Sequence, residues 1–299
     1  MAALPRLNGV IKAWEQGRPA FSTFAQADRR TAIELINSPY DSVIYEMEHN
    51  PWDVVGLQDA LQYMLDRKQI VASGSLSPAI TPIVRIPPNG AEKNQHFAKQ
   101  ALDRGVYGIV WPHISNAEEA YNAVASCRYP RPKNAPNHEP EGARGDAPLA
   151  ATRYWGLPLK EYYKKADVWP LNPEGEILVF LMIEDTQGIA NLDEILRTVP
   201  GIGCILIGEG DLSQELGVPR EYEHPLVKSA MAQVVQTCRK YKVPVGHPHV
   251  SSKNLEAVLA EGFQFLMSMP TRGYAVIEKA RVLTGGAAAR DSSNDVAVT

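Results

Sequence analysis

The chain has 299 residues, of which 44% are hydrophobic and 21% charged, with a formal net charge of -4. That length can bury a sizeable core as one large domain or two small ones, and acids and bases mixed along the chain leave no basic face for nucleic acid. The start, MAALPRLNGVIKAWEQG, lacks an uninterrupted apolar stretch, and nowhere do apolar residues run long enough to span a bilayer. The expectation is a cytoplasmic protein with a small-molecule partner and no membrane.

In chain order, short β-rich apolar runs alternate with longer segments of helical period. AFSTFA (20 to 25) precedes RTAIELINS, and DSVIYEME (41 to 48) precedes VVGLQDALQYMLDRK, whose Leu57, Ala60, Leu61 and Met64 share a face. AITPIVRI (79 to 86) leads to AEKNQHFAKQALDRG, closed by Gly105. VYGIVWP (106 to 112) leads to NAEEAYNAVASC, with Asn116 as N-cap and Glu118 and Glu119 in the first turn. EILVFLMIE (176 to 184), IGCILIG (202 to 208), VPVGHP (243 to 248) and FQFLMSM (263 to 269) complete the set, each with a helical segment behind it. Strands apolar throughout, in eight strand-helix units, predict a single-domain α/β fold over residues 1 to 284, a closed parallel (β/α)8 TIM barrel. No GxGxxG loop follows the first strand, so the usual dinucleotide signal is missing.

One stretch breaks the rhythm. Residues 129 to 175 carry eight of the 23 prolines and join a helix to the next strand. The segment therefore leaves from the barrel face opposite the expected active site, which suits a subunit contact or an arm over a neighbour better than an active-site cover. The tail, 285 to 299, lacks apolar periodicity and reads as disordered. Cys127, Cys204 and Cys238 are far apart and odd in number, as expected of buried, reduced thiols rather than a metal set.

In a barrel the chemistry gathers where strands run out into the following loops. Strand two ends in Glu46, Glu48 and His49, strand three in Arg85, and strand five in Glu184 and Asp185. Strand six ends in Glu209 and Asp211, and strand seven in His247 and His249. Glu184 and Asp211, on neighbouring strands, can converge on one hard divalent cation and leave positions for water and an oxyacid. Helix capping explains Asp185 and Asp211 equally well. Gly208 and Gly210 would let backbone N–H groups approach a carboxylate. Arg85 needs an anionic partner, either a substrate or a strand-two glutamate. His49, three residues after Glu46, reads as a base oriented by a carboxylate or as a hydrogen-bonded loop residue. His247 and His249 read as loop residues.

Taken together, YEMEHNPWD, VRIPPNG, GVYGIVWPHISNAEEA, YP…EGARG and IEDTQGIANLDEILRTVPGIGCILIGEGDLSQELG resemble the class II, metal-dependent pyruvate aldolases of the HpcH/HpaI family, over residues 8 to 283. The resemblance implies a (β/α)8 barrel assembled as a homo-oligomer, a hexamer or trimer. It also implies reversible retro-aldol cleavage of a 4-hydroxy-2-oxoacid to pyruvate and an aldehyde through an enolate. Carried over by position, Glu184 and Asp211 match the ligands of a divalent cation, Mg²⁺ or Mn²⁺, with Co²⁺ also suited. Arg85 matches the arginine beside the pyruvate oxygen, His49 the histidine of the acid/base pair with Glu46 as its carboxylate, and the backbone of Gly210 and Asp211 the pyruvate carboxylate site. Two positions depart from the pattern: Glu46 stands where aspartate is common, and Met182 where glutamine is common. The rival chemistries are oxaloacetate decarboxylation, a coenzyme A thioester lyase, and a non-catalytic acid-binding barrel.

Overall fold

The computed structural model describes residues 5–87, 90–269 and 274–285. Its strands are β1 (Ala20–Ser22), β2 (Phe24–Ala25), β3 (Ser42–Glu46), β4 (Thr81–Arg85), β5 (Gly108–Trp111), β6 (Val168–Trp169), β7 (Ile177–Ile183), β8 (Cys204–Ile207), β9 (Val245–Val250) and β10 (Phe265–Ser268). All the pairings are parallel and follow the order β1-β10-β9-β8-β7-β5-β4-β3-β2, with β6 beside β7. β1 and β2 lie at the two ends of that path yet are separated in the chain by Thr23 alone, so the sheet curls into a nearly closed barrel. Its ten strands exceed the eight expected: the first run is split at Thr23, and β6 forms inside the proline-rich segment.

Alternation along the strands decides what fills the barrel and what crowns it. Ile44, Ile83, Val110, Leu178, Phe180, Cys204, Leu206 and Phe265 form one buried cluster inside, closed at the strand N-termini by Val10, Ile11 and Ala13 of the helix Gly9–Glu15. Asn8 caps that helix, accepting from the N–H groups of Val10 and Ile11. Each fully buried Ile, Leu or Phe contributes on the order of 1.5–3 kcal/mol, so the filled interior is a rigid base for the groups above it. A second cluster, including Leu57, Ala60, Leu61, Ala101 and Leu192, packs the surrounding helices onto the sheet. Asn116 caps its helix as expected, accepting from Glu119 N–H at 3.0 Å.

The segment 129 to 175 is more ordered than its prolines suggest. It forms helices Leu149–Trp155 and Leu159–Lys165 as well as β6. Trp155 stacks on Tyr107 at 4.3 Å and donates to Gly105 O at 2.7 Å, fixing the segment to its own barrel near the start of β5. It therefore packs as an integral layer rather than standing out as an arm, because burying Trp155 and Tyr162 is worth more than leaving them in water. Of the tail 285–299, all but Gly285 lies outside the described residues. The three cysteines are free and buried, and among the described residues no helix is long and apolar enough to cross a membrane.

Candidate active site

The interior positions of successive strands end in polar groups at one mouth of the barrel. Two residues beyond Ile44 comes Glu46, two beyond Ile83 comes Arg85, two beyond Met182 comes Glu184, and two beyond Leu206 comes Gly208. Glu46 and Arg85 are register partners across β3 and β4, as are Ile183 and Ile207 across β7 and β8. The same alternation that fills the core thus aims these groups at a shared space.

Glu184 is 3% exposed, and its Oε1 accepts from the His113 N–H at 2.9 Å. Gly208 is needed here because a Cβ at this position would stand 2.5 Å from the Glu184 Cδ and closer to its other atoms. One ligand atom from each of His113, Glu184 and Asp211 lies within 4.8 Å of the others. Burial pushes Glu184 up to about 7, with His113 pulling down and the charges of Glu48 and Asp211 pushing up. Glu48 is raised too, chiefly by burial, with Arg85 opposing it. Glu184 and Asp211 converge with Glu48 charged nearby, and the raised Glu184 and Glu48 suit a cation that removes the repulsion. The donor set, two carboxylates and an imidazole with room for further oxygens, fits a hard or borderline divalent ion.

Arg85 lies beside this cluster, linked to it through Glu48. Its Nε donates to Glu46 Oε2 at 2.6 Å, Nη2 pairs with the same oxygen, and Nη1 lies 3.0 Å from Glu48 Oε2. The guanidinium also sits 4.5 Å over the Phe24 ring, and Nη1 is 3.7 Å from the sulfur of Met182. The strand-two glutamates are thus its partners in the protein. Because Glu46 is taken up by Arg85, it does not orient the His49 ring as expected. Its Oε1 instead accepts the backbone N–H groups of Glu48 and His49 at 2.8 and 3.1 Å. The His49 ring is 68% exposed, with Nε2 3.6 Å from Glu48 Oε2.

Of the two carboxylates that helix capping could explain, only Asp185 caps. Asp185 caps the helix Thr186–Thr198 through Gly188 N–H and accepts from Ser115 Oγ at 2.6 Å. Asp211, exposed and in the first turn of Glu209–Glu215, makes no cap; that helix begins at Gly208 without a side-chain capping bond. The N–H groups of Gly210 and Asp211 therefore lack intrahelical acceptors, and nothing stands within 4 Å of where a Gly210 Cβ would be. His247 and His249 lie on β9 rather than in a loop: His249 Nδ1 pairs with buried Glu209, and its N–H donates to His247 Nδ1 at 3.2 Å.

Two further residues belong to the site: Glu48, present among the strand-end groups but given no role there, and His113, which a reading of strand ends does not single out. Glu48 is 7% exposed in its side chain and lies within 3.7 Å of His113 Nε2. His113 follows Trp111 and Pro112 in a left-handed backbone conformation, φ 50°, that turns its ring back toward Glu184, 3.9 Å away. A non-glycine residue there costs of order 1 kcal/mol, which the N–H bond to Glu184 offsets. The only signal in the sequence is a histidine one step beyond a strand-ending Pro112.

The family model for HpcH/HpaI aldolase/citrate lyase matches residues 21–269. The chain belongs to the HpcH/HpaI aldolase/citrate lyase family. HpcH/HpaI relatives include the 2-dehydro-3,6-dideoxy-6-sulfogluconate aldolase of Pseudomonas putida, 28% identical over 250 residues, or 84% of this chain and 85% of that protein. The pyruvate aldolase of Rhizobium etli is 31% identical over 208 residues, 69% of this chain and 68% of that one. The HpcH/HpaI aldolase structure from Desulfitobacterium hafniense shares the fold, with a TM-score of 0.70 at 19% identity over 92% of this chain and 95% of that one. Membership places the protein among carbon–carbon lyases of the pyruvate-aldolase kind, a divalent-metal-dependent family, in keeping with the acidic cluster at the barrel mouth.

Proposed function

We propose that the protein cleaves a 4-hydroxy-2-oxoacid reversibly to pyruvate and an aldehyde, using Mg²⁺ or Mn²⁺, with Co²⁺ able to substitute. The observation that carries this reading is the convergence of Glu184, Asp211 and His113 on one point, with Arg85 beside it through Glu48. Glu184 and Asp211 would hold the cation, with His113 as the third donor. Bound there, a divalent ion supplies Lewis-acid polarisation of the 2-oxo group. Arg85 adds fixed positive charge where the enolate oxygen develops, and Glu46 and Glu48 keep its guanidinium from swinging away. The uncapped N–H groups of Gly210 and Asp211 receive the pyruvate carboxylate. His49, held through its own N–H by Glu46 and adjoining Glu48, takes the proton of the 4-hydroxyl from the open side of the mouth. The C3–C4 bond then breaks, its electron pair passing into the enolate as the aldehyde leaves.

The same reading treats β1 and β2 as one barrel strand interrupted at Thr23 and β6 as an addition, which leaves a single-domain (β/α)8 barrel over 1 to 284 with the insertion at 129 to 175. It takes the working form to be a cytoplasmic homo-oligomer, trimeric or hexameric; buried unpaired cysteines support a reducing compartment. The test is exchange of the pyruvate methyl protons into deuterated water, followed by NMR with Mg²⁺ or Mn²⁺ and again after chelation. Metal-dependent exchange is expected. No exchange with any divalent ion would overturn the reading.

A further inference from the structure

The segment EGARG, residues 141 to 145, takes no part in the chemistry above, yet it carries a fully buried cation. The Arg144 side chain has no exposure, and its guanidinium lies 4.4 Å over the Tyr129 ring. Nη2 donates to Tyr162 Oη at 2.8 Å and to Asp103 Oδ1 at 3.2 Å. Nε and Nη1 have no hydrogen-bond partner among the described residues. A buried donor left unmet costs roughly 1–3 kcal/mol, more on a charged group, so the arrangement calls for an explanation beyond packing.

The charges nearby do not cancel. Asp103, the only carboxylate paired with Arg144 among the described residues, is also acted on by Arg104 and Lys99. Beside Arg144 a cavity of about 270 Å³ opens in the outer wall of the barrel, between helix Gln95–Arg104 and helix Ala117–Ser126. Lys93, Gln95, His96, Lys99, Ser126 and Arg144 line it, and none of its lining residues is acidic. Lys93 pairs with Glu118, but Glu118 is 80% exposed in its side chain, so water screens that pair and leaves the ammonium available.

Helix Gln95–Arg104 begins at this cavity, and Asn94 makes no side-chain cap. The N–H groups of Gln95 and Phe97 bond to the carbonyls of Lys93 and Asn94, while that of His96 has no backbone acceptor among the described residues, at the positive end of the helix dipole.

We propose that this cavity binds a dianionic oxyanion of the phosphate class, either inorganic phosphate or the phosphoryl group of a small metabolite, at a site separate from the barrel mouth. A tetrahedral dianion suits a lining that holds Lys93, Lys99 and Arg144 and no acidic residue. It offers oxygens to the Lys99 and Lys93 ammonium groups, the Gln95 amide and the His96 N–H, while Arg144 supplies a fixed positive field from beneath. The cavity lies just below the usual range for small-molecule sites, so it suits a phosphate with a short organic tail and excludes a nucleotide.

The experiment is calorimetric titration of the chelated, metal-free protein with inorganic phosphate and with glycerol 3-phosphate, at ionic strength held constant with chloride. Wild type should show saturable binding of at least one of the two. Lys99→Glu, a change at an exposed position, should weaken it tenfold or more while the circular-dichroism melt stays that of wild type; Gln95→Ala should weaken it less. Glu184→Gln should leave it unchanged. Absence of saturable binding in wild type, equal affinity in Lys99→Glu, or loss in Glu184→Gln would each overturn the proposal. Tighter binding of glycerol 3-phosphate would identify the ligand as an ester, and tighter binding of phosphate as the free ion.

Discussion

A methyl group on Gly208 is the most informative single change to the barrel mouth. The backbone φ of -95° suits alanine, so no conformational penalty confounds the test. The conflict is steric: the new Cβ would stand 2.5 Å from the Glu184 Cδ, whereas carbon atoms pack at about 3.5–4.0 Å, so a gap of about 1 Å must open. The strand cannot easily yield, because Gly208 N–H donates to Ile183 O at 3.0 Å and the residues before it are fully buried. The Glu184 carboxylate therefore moves. Overpacking of this kind costs about 1–3 kcal/mol, or roughly 2–10 °C of melting temperature for a chain of this size. Displacing a ligand by that much should weaken Mn²⁺ binding by about 10- to 100-fold, the range seen when the shell that orients a ligand is disturbed. Calorimetric Mn²⁺ titration and thermal melting of Gly208→Ala measure both effects. Wild-type Mn²⁺ affinity together with an unchanged melting temperature would refute the idea that Gly208 exists to let Glu184 hold a cation.

Glu184→Gln should abolish divalent binding and pyruvate exchange, yet the chelated variant at pH 8 should melt no lower than wild type, because it no longer buries a charge beside Glu48 and Asp211; a clear drop in melting temperature would contradict this. The raised Glu184 value of about 7 sets the pH dependence. The folded carboxyl keeps its proton where the unfolded one has lost it, so the metal-free protein should lose stability as pH rises from about 4.5 through about 7. Over the same window proton and cation compete, so Mn²⁺ affinity measured from pH 5.5 to 8 should climb by up to about tenfold per unit below 7 and then level off. A flat profile would mean that Glu184 is not a ligand. Finally, His49→Ala should lower aldol cleavage by about 10²–10⁴ with Mn²⁺ affinity retained, and His113→Ala should lower Mn²⁺ affinity first; the reverse pattern, read from paired kinetics and titration, would exchange the two roles.

How the residues come to share a site is legible only in part along the chain. The strand-end carboxylates at 184 and 211 stand out because they come where apolar runs stop, Asp211 after Gly208 and Gly210. Arg85 stands out because a charged group closes an otherwise apolar strand. Its partner is legible as a substrate or a strand-two glutamate, and the choice of Glu46, 39 positions away, comes only through the register of β3 on β4. His113 was hidden for a different reason: a positive φ that reverses its ring is invisible to any pattern of hydrophobicity. The order within 129 to 175 was hidden as well, because proline content announces breaks in regular structure but not that Trp155 will find Tyr107.

Local chemistry is enough to decide that apolar strands alternate with amphipathic helices, since strand and helix periods are properties of neighbouring residues, and this alternation selects a parallel α/β fold. It also decides which residue types wait at the strand ends. Closure of the sheet at Thr23 depends on β1 pairing with β10, whose register partners lie more than 200 positions apart, while β2 pairs with nearby β3. The raised protonation of Glu184, which needs burial and the nearby charges of Glu48 and Asp211, and the buried positive charge of Arg144 beside an open cavity likewise depend on groups that only the fold brings together. Burial and charge proximity act through space and fall off within a few ångströms, so they belong to the folded chain alone.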